Sequence, residues 1–403
     1  MKKINKVILV TGTTGFLGGA ITKRLLVLGY KLRLLIRKRR RNRSIIKDFI
    51  INNHIDESLY DLFPGNVEIF EGDVTSECLG LGEAVYKKLC SEVDEVFHCA
   101  AATHFESQRA DELMNVNVNG TENLLRFANS VKQKRFSYIS TAYVAGKREG
   151  VVFENELDKE PQFNNEYEKS KFIAEQMVVH YAKDNTIPYT IYRPSIIVGD
   201  SRTGFTCKFD NLYLFSKVLL NIKNDYVNRQ RQDSTGQDGN VTIRVPGDPN
   251  AMVNLVPIDY VADAIVAISR KREAVGKILH IANPNPPVLN ELRDYLMYVM
   301  EIKGIDISIE GQMEHKHLST IERLFLRQTR TYYPYIFGKL RFDCSNTQDT
   351  LKGTGINCPV ITHDLIKTLL DYAISHNWGE RRLATSKTVE TGKVLGEVLV
   401  NDG

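Results

Sequence analysis

At 403 residues the chain is long enough for one large α/β domain with a smaller partner. An apolar share of 42% and a charged share of 25% are ordinary globular values, which excludes a disordered or fibrous chain. The net charge of +4 is too mild to indicate a nucleic-acid binder, and no apolar run reaches the ~18 residues that span a bilayer. Lys2, Lys3 and Lys6 precede an apolar run at 7–10, but Thr11 and Gly12 end it too early for a secretory signal. A cytoplasmic protein is therefore expected. The six cysteines are scattered, with no CxxC pair and no histidine at metal-ligand spacing, so reduced structural thiols and no metal site are expected.

The first half of the chain alternates short β-branched runs with helical patterns. Strands are predicted at 6–10, 31–36, 66–70, 95–99, 135–139 and 188–192, and helices at 17–28, 81–93, 122–131 and 166–181. A strand roughly every 30 residues fits right-handed βαβ units. After residue 199 the pattern loosens. Residues 224–240 are polar and read as a long surface loop. A strand at 241–245, a helix from 259, a strand at 277–281 and a helix at 289–302 follow. The expected fold is α/β, a Rossmann-type doubly wound parallel sheet with a smaller C-terminal substrate-binding subdomain. The cofactor domain is assigned to 1–200 with strand and helix returns near 241–270. A mixed α/β substrate region is assigned to 201–385 and a flexible tail to 386–403.

The strongest local signal is Thr11-Gly12-Thr13-Thr14-Gly15-Phe16-Leu17-Gly18, which follows the first strand and opens the first helix. Gly12 permits a tight turn, Gly15 a close approach of backbone to pyrophosphate, and Gly18 close helix–strand packing. Thr13, Thr14, Phe16 and Leu17 complete the loop, whose helix N-terminus offers free N–H groups to phosphate. At the end of the second strand an NAD site places an acid, whereas this chain has Arg37 and then the basic run 38–43. A guanidinium there suits a 2′-phosphate, so NADPH is the expected cofactor. Asp73 and Val74 end the third strand within reach of the adenine. Ala100, Ala101 and Ala102 follow the fourth with side chains small enough to lie against the cofactor.

Tyr167 and Lys171 are four apart in a helical stretch and share a face. A nearby ammonium is expected to favour the phenolate and bring Tyr167 into a useful range, while Lys171 also holds the nicotinamide ribose. Ser140-Thr141 ends the fifth strand, where the Thr141 hydroxyl would converge with Tyr167 on one developing oxyanion. Asn117 is assigned a supporting role, with Asn115 and Asn119 as competitors. Tyr143 is a candidate pocket residue.

Together these residues resemble the extended short-chain dehydrogenases/reductases. Within that group the chain is similar to the thioester-reductase and fatty acyl-CoA reductase branch, the "male sterility" type of NAD-binding domain. The segments that carry the likeness are 12–18, His98-Cys99-Ala100-Ala101, 117–121, 139–144, 167–171, 193–204 and 254–261. The resemblance implies that Pro194, Ser195 and Ile196 contact the nicotinamide carboxamide. It implies reduction of an acyl thioester to an aldehyde, and onward to an alcohol if the aldehyde is retained. The acyl group would arrive on coenzyme A or on a phosphopantetheinyl carrier protein, because no adenylation-like or carrier-like region is visible in the sequence. Residues 208–215 would form a wall of the acyl pocket or simply a core helix. The basic amphipathic stretch 321–335 suits a peripheral membrane contact or a lid. A monomer or homodimer is expected.

Two other readings remain open at this point. A sugar-nucleotide epimerase or dehydratase, or a ketone or aldehyde reductase, would keep Thr141, Tyr167 and Lys171 but in the sugar case would need a polar second half. A non-catalytic NADP-binding regulator would have no use for the tyrosine–lysine pair.

Overall fold

The computed structural model describes residues 4, 6–37, 62, 65–131, 135–233, 243–302, 304–308 and 320–380. Chain order begins with β1 (Val7–Thr11), α1 (Phe16–Val27), β2 (Lys31–Ile36), β3 (Val67–Glu71), α2 (Glu83–Glu92), β4 (Glu95–His98), α3 (Gly120–Ser130), β5 (Arg135–Ile139) and β6 (Gly150–Val152). It continues with α4 (Glu166–Asp184), β7 (Tyr189–Pro194), β8 (Ile196–Val198), α5 (Leu212–Asp233), β9 (Ile243–Pro246), β10 (Leu255–Pro257), α6 (Ile258–Ser269) and β11 (Ile278–Ile281). The last elements are α7 (Leu289–Met300), β12 (Ile305–Ser308), α8 (Thr320–Thr329), β13 (Leu340–Phe342) and α9 (His363–Ser375).

Seven strands form one parallel sheet in the order β11-β7-β5-β4-β1-β2-β3. Such a sheet is buried on both faces, so its central strands are apolar throughout rather than alternating. Ile8, Leu9 and Val10 of β1 are all essentially inaccessible. Helices α1 and α6 cover one face, where Ile21, Leu25, Val261 and Ile265 share a core with Ile8 and Val10. The opposite face holds Leu124, Phe127, Ala174 and Val178 of α3 and α4 against Leu9 and Val96. Order reverses at β1, whose neighbours β2 and β4 lie on opposite sides, and a crevice opens there at the carboxyl ends.

The strand that returns to the main sheet is β11, beyond the stretch 241–270 singled out from the sequence. From that stretch α6 lies on α1, fastened by Arg24 to Asp263 and to the Asp259 carbonyl. Strand β9 instead pairs with β12 in a separate two-stranded sheet. A second core gathers Leu212, Leu219, Val253, Leu292, Leu296, Phe325 and Leu369 around this smaller sheet. Helix α5 runs through residues 224–233, where the polar composition had predicted loop. Arg and Gln are good helix formers, and the apolar face of 212–222 nucleates a helix that the polar residues then extend. Residues 234–240, the basic run 38–43 and the tail 386–403 lie outside the described residues.

Candidate active site

The Gly-rich loop leaves β1 and turns directly into α1. Gly12 has φ +70°, and a Cβ there would sit 2.5 Å from the Ala100 amide nitrogen. A Cβ on Gly18 would meet the Gly12 carbonyl at 2.2 Å, so loop, helix and the end of β4 close on one another without side chains between them. Gly15 is the N-cap of α1 and makes no side-chain cap, which leaves the first helical N–H groups available to an anion. Thr13 and Phe16 are buried under the loop, Thr14 and Leu17 are partly exposed, and Gly15 faces solvent. These features fit a dinucleotide pyrophosphate.

Arg37 is exposed immediately after β2. The Asp73 carboxylate accepts from the Thr75 amide and hydroxyl at 2.9 and 2.8 Å, which shapes the turn after β3. Val74 is buried against Gly120 at the start of α3. Ala100, Ala101 and Ala102 run past β4 into the crevice, and Asn117 fixes their end. Its Oδ1 accepts from the Ala102 amide at 2.8 Å, while its Nδ2 donates to the Ala102 carbonyl and to Ser170 Oγ at 3.0 and 2.9 Å. Asn117 lies in a π-helical turn, Met114–Asn119, that points it inward. Asn115 and Asn119 bond to each other on the outside. The crevice loop is thus tied to α4 one residue before Lys171.

Thr141 ends the loop after β5, where its hydroxyl accepts from the Tyr143 amide and donates to the Pro194 carbonyl at 3.4 Å. Tyr167 is on the first turn of α4, capped by Asn165, with its phenol near the Thr141 side chain. Burial and the Glu168 carboxylate push the Tyr167 phenol up from its ordinary 10.0, and the Thr141 contact only eases that rise. Lys171 is one turn further on, buried, and donates to the Ile139 carbonyl at 2.6 Å with its ammonium 4.3 Å from the Tyr138 ring centre. Burial lowers it to about 7, with Glu175 pulling the other way. The expectation that Lys171 brings Tyr167 toward the phenolate is therefore corrected for this state: the ammonium faces the end of β5, and the phenol moves up. Pro194 closes β7, Ser195 Oγ donates to Asn254 Oδ1 at 2.6 Å, and Ile196 opens β8.

Several side chains at this centre were not singled out from the sequence. Glu168 is wholly buried and accepts from the Asn164 amide and from the Tyr335 hydroxyl at 2.9 and 2.7 Å. Asn165 Nδ2 also donates to Tyr335 Oη at 2.9 Å. Phe105 stacks between Tyr167 and Tyr335, with ring centres 5.8 and 6.1 Å away. Glu168 and Ser170 lie inside the 167–171 motif and Tyr335 inside the aromatic stretch, but nothing in the linear pattern joins residues 168 and 335. Beside them a cavity of about 750 Å³, partly open to solvent, is lined by Ile196, Leu212, Phe215, Leu292, Phe325 and Tyr335 among others. The stretch 208–215 contributes Asn211, Leu212 and Phe215 to its wall. In 321–335, Phe325 and Tyr332 turn onto Phe215, so the apolar side of that stretch faces the cavity.

Residues 10–265 match the family model described as male sterility protein, an NAD-binding domain. The chain belongs to the male sterility family. A nicotinamide dinucleotide is accordingly the cofactor class. The chain is 28% identical over 337 residues to a non-canonical nonribosomal peptide synthetase, cpsA, of Aspergillus campestris, covering 79% of this chain and 29% of that protein. It thus spans under a third of that relative. It is 24% identical to fatty acyl-CoA reductase 8 of Arabidopsis thaliana, covering 86% of this chain and 89% of that protein. In three dimensions it is similar to the terminal R domain from the myxalamid PKS-NRPS pathway, with TM-score 0.76 and 24% identity over 94% of this chain and 92% of that one. That likeness supports the doubly wound fold. No helix among the described residues is long and apolar enough to cross a membrane.

Proposed function

We propose that the protein is an NADPH-dependent reductase that converts an acyl thioester to an aldehyde, and to the alcohol where the aldehyde is held for a second round. The observation that carries this reading is the apolar cavity that adjoins the Thr141–Tyr167 pair through Ile196 and Tyr335. A sugar nucleotide would need polar partners there, whereas an acyl chain needs only dry, aliphatic walls. NADPH supplies the hydride, and Arg37 at the end of β2 supports the choice of the 2′-phosphorylated form.

Thr141 and Tyr167 hold the thioester oxygen as negative charge grows on it, and two such donors in a water-poor site are worth far more than in bulk solvent. A phenol kept above its ordinary pKa is protonated at neutral pH, which is the form a reductase needs, because Tyr167 must give its proton to that oxygen. The product of that transfer is a hemithioacetal. Its collapse breaks the carbon–sulfur bond, returns the hydroxyl proton to Tyr167, and releases the aldehyde and a thiolate that takes up a proton from solvent. Lys171 is assigned to the nicotinamide ribose, and Asn117 keeps the crevice loop and α4 in register. Pro194, Ser195 and Ile196 are assigned to the carboxamide. The acyl group arrives on coenzyme A or on a phosphopantetheinyl carrier, as the relationship to a fatty acyl-CoA reductase and to a peptide synthetase supports.

The test is to follow NADPH absorbance with purified protein against acyl-CoA, acyl-pantetheine, free aldehydes and UDP-sugars. Thioester-dependent oxidation with release of free thiol is expected, and a strong preference over NADH. Turnover of a UDP-sugar without net oxidation, or binding of NADPH with no turnover of any thioester or aldehyde, would sink the reading.

A further inference from the structure

A second cavity, of about 620 Å³, lies on the other side of Tyr335 from the apolar one. Tyr143 and Tyr335 form its inner wall, with ring centres 4.9 Å apart. Tyr143 is two residues from Thr141, and Tyr335 is bonded to the carboxylate next to Tyr167, so this wall borders the reacting groups. The remaining lining includes Lys147, Arg148, Glu149 and Lys339. These residues are distant in sequence and are brought together by the parallel pairing of β6 with β13, in register Gly150↔Leu340. The Gly150 amide donates to the Lys339 carbonyl at 3.0 Å, and the Lys147 amide to Gln162 O at 2.7 Å, so backbone bonds hold both lysines in place.

Arg148 is committed to Glu156 at 2.8 Å. Lys147 and Lys339 are exposed, and neither makes an ion pair among the described residues. Two ammonium groups without an ion pair among the described residues, at the outer side of a polar pocket whose described lining holds one acid, Glu149, with the buried Glu168 in electrostatic range of Lys147, make a site for a polyvalent anion. No residue of the Gly12–Gly18 loop lines it, so it is separate from the dinucleotide phosphate cradle.

We propose that this pocket takes the arm of the thioester substrate, with Lys147 and Lys339 binding the phosphate at the far end of the pantetheine chain while the acyl group occupies the apolar cavity across Tyr335. The inference rests on the reductase reading above. It adds the route by which the substrate enters and the residues that recognise its carrier. The ligand chemistry is a phosphorylated pantetheine, which coenzyme A and a carrier protein both present.

The experiment compares the wild type with a Lys147→Gln/Lys339→Gln double variant on decanoyl-pantetheine, decanoyl-4′-phosphopantetheine, decanoyl-CoA and a decanoyl-loaded carrier protein. The expected result is a KM about tenfold or more higher for the phosphorylated thioesters, with kcat, the KM for NADPH and the KM for decanoyl-pantetheine unchanged. A rise with decanoyl-CoA alone identifies coenzyme A as the source, and a rise with the loaded carrier identifies a carrier. Equal effects on phosphorylated and unphosphorylated substrates, or no effect on either, overturn the proposal. Direct titration of 4′-phosphopantetheine separates the two readings. If the wild type reduces no thioester yet binds this ligand and the double variant does not, the reductase reading fails and the phosphate site stands. Equal binding by both proteins removes the site whatever the turnover.

Discussion

At the scale of single residues, the proposed chemistry depends on the Tyr167 phenol, which burial and the Glu168 carboxylate push toward its protonated form. Tyr167→Phe keeps the ring against Phe105 and removes only the proton donor. We expect kcat for thioester reduction to fall about 10²–10⁴-fold while NADPH binding, read by fluorescence titration, changes little. Retention of wild-type kcat would remove Tyr167 from the reaction. Lys171 offers a different handle. Its folded value of about 7 lies below the ordinary 10.5, so between those limits the unfolded chain binds more protons than the folded one. Stability from this group therefore rises with pH across that window, and the full cost of burying an ammonium is present below it. The melting temperature of the cofactor-free wild type should gain on that of Lys171→Met as pH increases from 7 to about 9.5. A constant gap would show that Lys171 does not titrate as its burial demands.

Elements matter because each delivers one group and one constraint. Thr141 follows the end of strand β5, Tyr167 stands on the first turn of helix α4, and the π-turn at 114–119 throws Asn117 across to Ala102 and Ser170. The loop between β1 and α1 has no slack, since Gly12 combines a left-handed φ with backbone contact to Ala100. Gly12→Ala should weaken NADPH binding about tenfold or more and destabilise the fold by about 1–3 kcal/mol. Both are measurable in one preparation, by NADPH titration and by denaturant unfolding. An unaltered dissociation constant would mean that the dinucleotide does not approach this backbone.

Across the whole molecule, the smaller subdomain packs around a core of its own, while buried charged groups tie distant segments to the main sheet. Arg193 of β7 donates to Glu175 of α4 at 3.0 Å and to the Glu156 carbonyl at 2.8 Å. Glu154 accepts from the His280 amide of β11 and from the Thr347 hydroxyl. Such pairs are costly to break singly, because the remaining charge is stranded. Through Tyr335 the same subdomain sets the size of the apolar cavity beside the reacting groups. Leu292→Trp fills part of that cavity. KM should rise at least about tenfold for a long-chain thioester and stay close to wild type for a butyryl one, a loss that chain burial at about 0.8 kcal/mol per methylene readily accounts for. Equal effects on both chain lengths would place the acyl group elsewhere.

The local signals needed no third dimension. A glycine loop between a strand and a helix, a Tyr–Lys pair at helical spacing, a hydroxyl at the end of a strand and apolar runs for doubly covered strands are all written within short windows, where backbone geometry alone dictates what each can do. The register of Asn117 over its neighbours Asn115 and Asn119 was not visible, because it depends on a π-turn that shifts which side chain faces inward. Helix α5 continues beyond residue 223, where composition predicts loop, because the apolar face of its first turns outweighs the polar residues that follow. Contacts between residues 168 and 335, and the alignment of Lys147 with Lys339, arise only when distant strands and helices pack. The chain alone determined the nucleotide-binding fold and named the candidate reactive groups. Their protonation, the shape of the acyl cavity and the charge at its neighbour were settled by tertiary structure, because burial and long-range approach set pKa, volume and field, and no local sequence pattern encodes those distances.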